Sequence, residues 1–467
     1  MPKLLTTEQV GLTRVLVTYS SLLAIVASLG FMSSIYRLFP YFRNPENKHN
    51  GIFFLTCMVN LVGFILTVAG VILFKEYIIN DPDNLKVDLF KDYYYYIIPL
   101  IFFSMLYSMA DIFFVVLYNS VIGTFVKEFL QRIFILISIG LYFFKIMDLN
   151  GFIIAYICAN SLPSIIIITK LLIERHFDFK PDFKLLKKSM VATMVSMSVF
   201  GLLVSLSNLV IQYIDSVMLH TMLGLEATGI YTIWYFFGQV IVMPSRSVKK
   251  ITSTIISEAW KSNDFELIKK VYYKSSLNQV IFGLFLFILV TSNIHNILRI
   301  LPPEYAVGKY VVYFVGLSSL FEMLAGVSSV IVSNSKYYKN VAYFIGLFIV
   351  FVILGNFIFI PLMGLLGTAV AACIAAFLYC LIRIFFVYYK LRIFPFDRKY
   401  IWILLISVSS FLISSLLPVL GNVWLDLFIR CVVISLLFCL PIYFFKISED
   451  INKLINQLYQ RFFVKPK

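Results

Sequence analysis

Charge is scarce in this sequence: only 13% of its 467 residues are Asp, Glu, Lys or Arg, while 61% are hydrophobic. Soluble domains carry ~45–50% apolar residues, so a mean hydropathy of +0.91 excludes that class. Cysteine is sparse and unpaired. The six cysteines, Cys57, Cys158, Cys373, Cys380, Cys431 and Cys439, all fall in apolar runs, with no CxxC pair and no Cys/His cluster. That excludes a disulfide framework and a structural metal. The four histidines, His49, His176, His220 and His295, are scattered and receive no role. No cleavable signal peptide is evident, since the first apolar run is long and lacks an A-x-A-like exit. No catalytic residue, cofactor or metal is assigned.

What the chain does contain is apolar runs of about 20 residues, each long enough to cross a ~30 Å hydrocarbon core as a helix. Thirteen are expected, at 13–36, 51–74, 94–118, 121–145, 151–173, 190–212, 227–248, 275–298, 307–333, 340–361, 364–388, 399–420 and 424–445. The fold class is therefore an all-α polytopic membrane protein. The net charge of +15 is a topology signal, because 30 Lys and Arg lie in one set of alternate loops and 6 in the other. Short cytoplasmic loops carry the positive excess, which places the C-terminus in the cytoplasm and assigns no nucleic-acid partner.

Residues 208–274 form the most legible unit: an apolar helix ending at Asp215, a turn with Glu226 and Gly229, a second helix broken at Pro244, then a basic amphipathic helix. That last helix, 249–274, is expected at the inner surface with Trp260 and Tyr272 as interfacial anchors. The basic tail, with Lys453, Arg461, Lys465 and Lys467, is expected to meet anionic headgroups. Parts of this unit recur. Leu5…Glu8-x-x-Gly11 matches Leu223…Glu226-x-x-Gly229 at an offset of 218, and Met147-x-Leu149-x-Gly151-x-x-Ile154-Ala155 matches Met363-x-Leu365-x-Gly367-x-x-Val370-Ala371 at 216. Two agreeing offsets imply two homologous lobes in the same orientation.

The expected domains are an N-terminal lobe at 1–185, a C-terminal lobe at 186–398, two additional spans at 399–447 and a cytoplasmic tail at 448–467. In the second copy a helix precedes the Glu-x-x-Gly turn. Its counterpart in the first copy would lie before Met1, so the expected architecture is six plus six plus two with the first helix missing.

Ionisable groups inside a bilayer are costly and face a cavity or a partner. Asp111, Glu322, Arg14 and Arg430 are such groups, each either a contact for substrate or coupling ion or a structural ion pair. Asn208, Gln212 and Asp215 form an i, i+4, i+7 stripe that either lines a path or ends in a cap. Gln239, near the Pro244 kink, offers a hydrogen-bonding site. Arg37, Arg43 and Lys48 in the first copy, and Arg246, Lys249 and Lys250 in the second, form two basic inner mouths. Such mouths suit a diphosphate, or else reflect the positive-inside bias alone.

The passage from Ile214 to Asp264 resembles the start of the second lobe in polysaccharide exporters and O-antigen flippases. These belong to the superfamily of multidrug, oligosaccharidyl-lipid and polysaccharide exporters. The opening, with Gly11, Gly30, Arg37 and Pro40, resembles the second helix of that family, and MGLLGTAVA (Met363–Ala371) resembles its twelfth. The resemblance implies a multi-pass protein of the bacterial inner membrane with two lobes around a central cavity. It would move a polyprenyl-diphosphate-linked oligosaccharide, an O-antigen or other lipopolysaccharide or surface-polysaccharide precursor, by alternating access. Polysaccharide assembly proteins are further expected partners. A drug or cation antiporter of the same superfamily is the alternative, with Asp111 and Glu322 as its cation site. A membrane-embedded glycosyltransferase or polymerase is disfavoured, because the longest outer loop, 75–93, is short for the acceptor-holding loop or domain that such enzymes generally need.

Overall fold

The computed structural model describes residues 2–44, 48–76, 88–117, 119–174, 188–453 and 456–457. All regular structure among them is helical. Nine of the described helices are long and apolar enough to cross a membrane. Other expected spans are broken helices. The first begins as α1 (Thr7–Ala27), breaks at Leu29 and Gly30, both at positive φ, and continues as α2 (Phe31–Phe42). Next come α3 (Ile52–Leu73) and α4 (Ile97–Val116), then α5 (Ser120–Phe125) joined through a π-helical turn at Val126–Leu130 to α6 (Gln131–Phe143). The first part of the chain continues with α7 (Leu149–Ile173) and α8 (Lys188–Val240), which is interrupted at Gly224 with φ 83°.

After α8 come α9 (Met243–Lys261), α10 (Phe265–Ser292), α11 (Ile294–Ile300), α12 (Val311–Leu324) and α13 (Ser328–Ser333). The last four helices are α14 (Lys339–Met363), α15 (Leu365–Leu391), α16 (Lys399–Ser415) and α17 (Val423–Phe444). Pro244 opens α9, where its missing N–H costs nothing.

The repeat is visible as backbone. Thr6 caps α1 in a capping box with Gln9, and Gly224, 218 residues on, is the break from which the second arm of α8 starts. The first turns of the two copies cross. A Cβ on Gly11 would run into the Leu225 carbonyl, and one on Gly229 into the Thr7 carbonyl. Thr7 and Leu225 are themselves 218 apart, so the contact is two-fold symmetric, and only glycine lets the two backbones approach this closely. The second matched pair behaves likewise: α7 and α15 start at Leu149 and Leu365, 216 apart, from Asp148 and Gly364.

By packing, the chain divides into two compact units, Met1–Gly229 and Ile230–Lys467. The boundary differs from the one expected near residue 185. The first arm of α8 packs on α1 and α2: Gly30 lies against Ser198 and Leu202, and Ser34 Oγ donates to the Met194 carbonyl at 2.9 Å.

Three local expectations are corrected. The helix does not end at Asp215; it runs on to Gly224, and Glu226 and Gly229 lie in the next arm rather than in a turn. The amphipathic stretch 249–274 is two helices parted at Ser262–Asp264, where Asp264 caps α10. Its aromatic residues are not exposed anchors, since Tyr272 is fully buried and Trp260 Nε1 donates to the Ile331 carbonyl at 3.2 Å. Most of the outer loop 75–93 and of the linker 174–188 lies outside the described residues, as do His176, Arg461, Lys465 and Lys467.

Candidate functional site

In the first unit, Arg14 projects from α1 towards the first arm of α8. Its Nε lies 3.4 Å from Ser216 Oγ, and its guanidinium sits 5.2 Å from the centre of the Tyr213 ring. A cation stacked on an aromatic face within ~6 Å is held electrostatically. This places Arg14 one turn of α1 from Gly11, beside the symmetric crossing. Gln212 and Asp215 share the helical arm that carries Tyr213 and Ser216; Gln212 is exposed and Asp215 half-buried. Arg37 and Asn208 lie on α2 and α8, and their side chains are outside the described residues.

Asp111, half-buried in α4, faces the start of the π-helical passage, because a Cβ on Gly123 would collide with its carboxylate. Around it, Tyr107 Oη donates to the Gly123 carbonyl at 2.9 Å and Lys127 Nζ lies 4.8 Å from the centre of the Tyr107 ring. A glycine, an aromatic hydroxyl and an ammonium therefore surround one carboxylate. The wider helical turn at Val126–Leu130 brings Lys127 there, and such turns are frequent at functional sites. Arg43, at the end of α2, donates to the Val116 carbonyl at 2.7 Å and stacks on Phe39 at 5.4 Å.

The second unit holds a stronger cluster. Glu322 on α12 accepts both forks of Arg383, with Nη2 to Oε2 at 2.5 Å and Nη1 to Oε1 at 3.3 Å, and also pairs with Lys249 of α9. Arg383 exposes only 2% of its side chain and stacks on Tyr379 at 4.1 Å, whereas Glu322 and Lys249 are partly open at 31% and 22%. One carboxylate and two cations leave the cluster with a surplus positive charge. Its open side presents both Glu322 and Lys249. Arg383 lies inside the apolar run 364–388 but is not among the intramembrane charges expected from the sequence. The signal that could have found it is its setting, CLIRIFF, two apolar turns before α15 ends at Leu391.

Gln239 is half-buried next to Gly238, whose carbonyl accepts from Ser319 Oγ at 3.0 Å, and Arg246 is exposed on α9. Arg430 is far more enclosed. Its Nε donates to Asp426 at 2.8 Å and its Nη atoms reach the carbonyls of Ser414, Leu417 and Pro418 at 2.8–3.0 Å. Asp426 in turn is bonded by His295 at 3.0 Å, by Asn296, and by the Leu420 N–H at 3.0 Å. That network ties α17 to α11 and to the turn after α16. Asp426 and His295 carried no sequence signal beyond the acid-to-base spacing of four between Asp426 and Arg430.

The structure thus brings Arg14, Tyr213 and Ser216 together, gathers Asp111 with Tyr107, Gly123 and Lys127, and joins Glu322 to Lys249 and Arg383. Arg430 sits in its own network with Asp426. Among the described residues, no group of three or more His, Cys, Asp and Glu side chains could hold a metal ion.

Comparison with known proteins agrees with this architecture. A family model described as polysaccharide biosynthesis protein matches residues 2–256, and one described as MatE matches residues 202–358. No curated protein sequence matches the chain. Among solved structures, the chain is similar to a lipid II flippase MurJ in an inward closed conformation. The identity is 14%, the TM-score 0.67, and the match covers 93% of this chain and 98% of that one. It is also similar to an inward-facing multidrug resistance MATE family transporter of the MOP superfamily, at 11% identity and TM-score 0.62, covering 84% and 92%. A third is the Vibrio cholerae MATE transporter VcmN in its bent form, at 11% identity and TM-score 0.51, covering 81% and 86%. These likenesses establish the two-lobe transporter fold.

Proposed function

The chain belongs to the polysaccharide biosynthesis protein family, and from that premise we propose that it is a flippase for a polyprenyl-diphosphate-linked oligosaccharide. The substrate is an O-antigen or other surface-polysaccharide precursor, moved from the inner to the outer leaflet of the bacterial inner membrane. The reading assigns transport and no covalent chemistry. The proposed orientation follows the positive-inside rule, with the C-terminus in the cytoplasm.

The observation that carries the choice of substrate is the Glu322 cluster. A cation antiporter needs an intramembrane carboxylate that can accept its ion. Glu322 already accepts from Arg383 and Lys249, so the cluster is net positive and suits an anion such as a diphosphate. Arg14, Arg43 and Arg246 add cations along the same proposed path, with Asp111, Asn208, Gln212, Asp215 and Gln239 as its polar lining and Arg37 at the first inner mouth. Arg430 is proposed to act through structure, by holding the two additional helices.

The second reading, a drug or cation antiporter, is favoured by Asp111, a half-buried carboxylate set against Gly123. Complementation separates the two. Expressed in a bacterium lacking its own O-antigen flippase, the chain is expected to restore surface polysaccharide and to leave sensitivity to cationic dyes unchanged. Dye resistance without polysaccharide would establish the antiporter instead.

A further inference from the structure

In the second unit, α9 and α10, joined through Ser262–Asp264, border a cavity of about 300 Å³. That volume is at the lower end of the ~300–1,000 Å³ usual for ligand sites. α9 contributes Val248, Thr252 and Ile255, which recur at i, i+4 and i+7 and so share one face. α10 contributes Leu267, Lys270, Val271, Lys274, Ser275 and Asn278, again from one face. Asp450, from the segment after α17, completes the lining. Four of these side chains, Val248, Ile255, Leu267 and Val271, supply hydrocarbon, and the others supply charge, amide and hydroxyl groups.

The depth of the cavity is that of a bilayer edge. A ~30 Å hydrocarbon core takes about 20 helical residues. Counted from the far end of α10 at Ser292, the core stops near Tyr272. That point falls between Leu267 and Asn278, in the middle of the lined face. One turn along α9 from Ile255, Ile251 is 66% exposed and extends the apolar surface beside it. The cavity therefore lies where acyl chains give way to headgroups, at the end of α10 that the positive-inside reading puts in the cytoplasm.

What the polar groups still offer selects the ligand. Thr252 Oγ1 donates to the Val248 carbonyl at 2.7 Å and Ser275 Oγ to the Tyr272 carbonyl at 3.1 Å. Both hydroxyls have thus spent their protons and keep lone pairs. Lys274 Nζ donates to Asp450 Oδ1 at 3.1 Å and to Glu449 at 3.4 Å, and Asn278 Nδ2 donates to Asp450 Oδ2 at 3.2 Å. The Asp450 carboxylate is fixed by these bonds and, with about four lone-pair sites, has acceptor capacity to spare. Lys274 is committed to two acids, which leaves Lys270, exposed one turn earlier, to meet an anion. One cavity therefore combines three acceptors, a cation and an apolar wall.

We propose that this cavity binds the headgroup of a zwitterionic phospholipid with a primary ammonium, phosphatidylethanolamine. Its phosphate meets Lys270, its ammonium donates to Asp450, Thr252 and Ser275, and its glycerol and first acyl carbons lie on Val248, Ile255 and Val271. A primary ammonium brings three N–H donors to three acceptors. The quaternary ammonium of phosphatidylcholine has no N–H to give. Phosphatidylglycerol brings no cation to Asp450, so its phosphate would add a second negative charge beside that carboxylate. The bound lipid would tie α9 to α10 and to the segment after α17. This goes beyond the flippase reading and does not depend on it.

The test titrates the purified full chain in detergent with phosphatidylethanolamine, phosphatidylcholine and phosphatidylglycerol of identical acyl chains, and reads bound lipid by native mass spectrometry. Phosphatidylethanolamine is expected to bind about tenfold more tightly than either of the others. Asp450→Asn is expected to remove that preference, and Lys270→Gln to weaken phosphatidylethanolamine and phosphatidylcholine alike. Lys339→Gln, exposed on α14 of the same unit, is expected to change neither. If Asp450→Asn does not accumulate, the double variant Thr252→Val, Ser275→Ala removes the two hydroxyl acceptors and is expected to cut the preference about threefold. Equal binding of phosphatidylethanolamine and phosphatidylcholine would overturn the proposal, since the cavity would then hold ordinary surrounding lipid. Tightest binding of phosphatidylglycerol would overturn it by making the site an anion site. Water-soluble phosphoethanolamine binding as tightly as the lipid would overturn the bilayer as the source of the occupant. No transport enters the readout, so failure of the flippase reading and failure of this proposal are separate results.

Discussion

The two units solve the problem of an intramembrane carboxylate in opposite ways. In the first, Asp111 rests on a glycine, near one tyrosine and one lysine, and stays half-open. In the second, Glu322 is gripped by a buried arginine and shares a lysine. Yet the matched turns of the repeat, at Gly11 and Gly229, cross symmetrically within the first unit. The difference teaches that the repeat fixed helix starts and crossings, while polar chemistry diverged between copies. The first unit keeps an adjustable acid, and the second keeps a rigid, net-positive site.

The largest effect expected from breaking this contrast is at Arg383. Arg383→Met leaves Glu322 with Lys249 alone, and removal of one partner of a buried pair costs about 3–5 kcal/mol. It should lower the detergent melting temperature sharply and abolish export, whereas Asp111→Asn should leave the melting temperature nearly unchanged. Equal destabilisation by the two variants would erase the distinction drawn between the units.

Next in size are the crossing glycines. Gly229→Ala and Gly11→Ala each drive a methyl into the carbonyl of the opposing turn, an overpacking worth about 1–3 kcal/mol. The symmetry predicts similar losses of export for both. Gly70→Ala and Gly140→Ala, where no atom lies within 4 Å of an added Cβ, should be silent. A severe effect at only one of Gly11 and Gly229 would show that the two-fold contact is not used symmetrically.

The smallest effect is at the cap. Thr6→Ala removes the hydroxyl that accepts from the Gln9 N–H and should cost about 1 kcal/mol, read as a modest fall in melting temperature with export retained. A loss of export comparable to that of the glycine variants would mean that the start of α1, and not only its crossing, positions the first copy.

Much of this was legible in the sequence because membrane burial enforces long apolar runs and because small residues mark close helix crossings. Gly11 and Gly229 marked the repeat, while their contact with each other shows only in the structure. The helices that start at Leu149 and Leu365 begin within two residues of the runs expected from 151 and 364. Gly224 did not announce its break: glycine is common in membrane helices, and a single φ of 83° leaves no trace in hydropathy. Hence Asp215 was read as a helix end nine residues early. Arg383 was hidden because a cation near a helix terminus looks like a loop charge until the helix is seen to run past it. Tyr272 and Trp260 looked like surface anchors because periodicity gives a polar face without telling what packs on it. The packing boundary at Gly229 escaped because the first arm of α8 belongs by repeat to one copy and by contacts to the other.

The most direct test of the central claim is a flipping assay on the purified chain in liposomes, following a fluorescent polyprenyl-diphosphate-linked saccharide from one leaflet to the other. The account predicts protein-dependent transfer that the Gly229→Ala variant loses. Absence of transfer by the wild-type chain, in liposomes where it extrudes a cationic dye, would contradict the account and assign the fold to antiport.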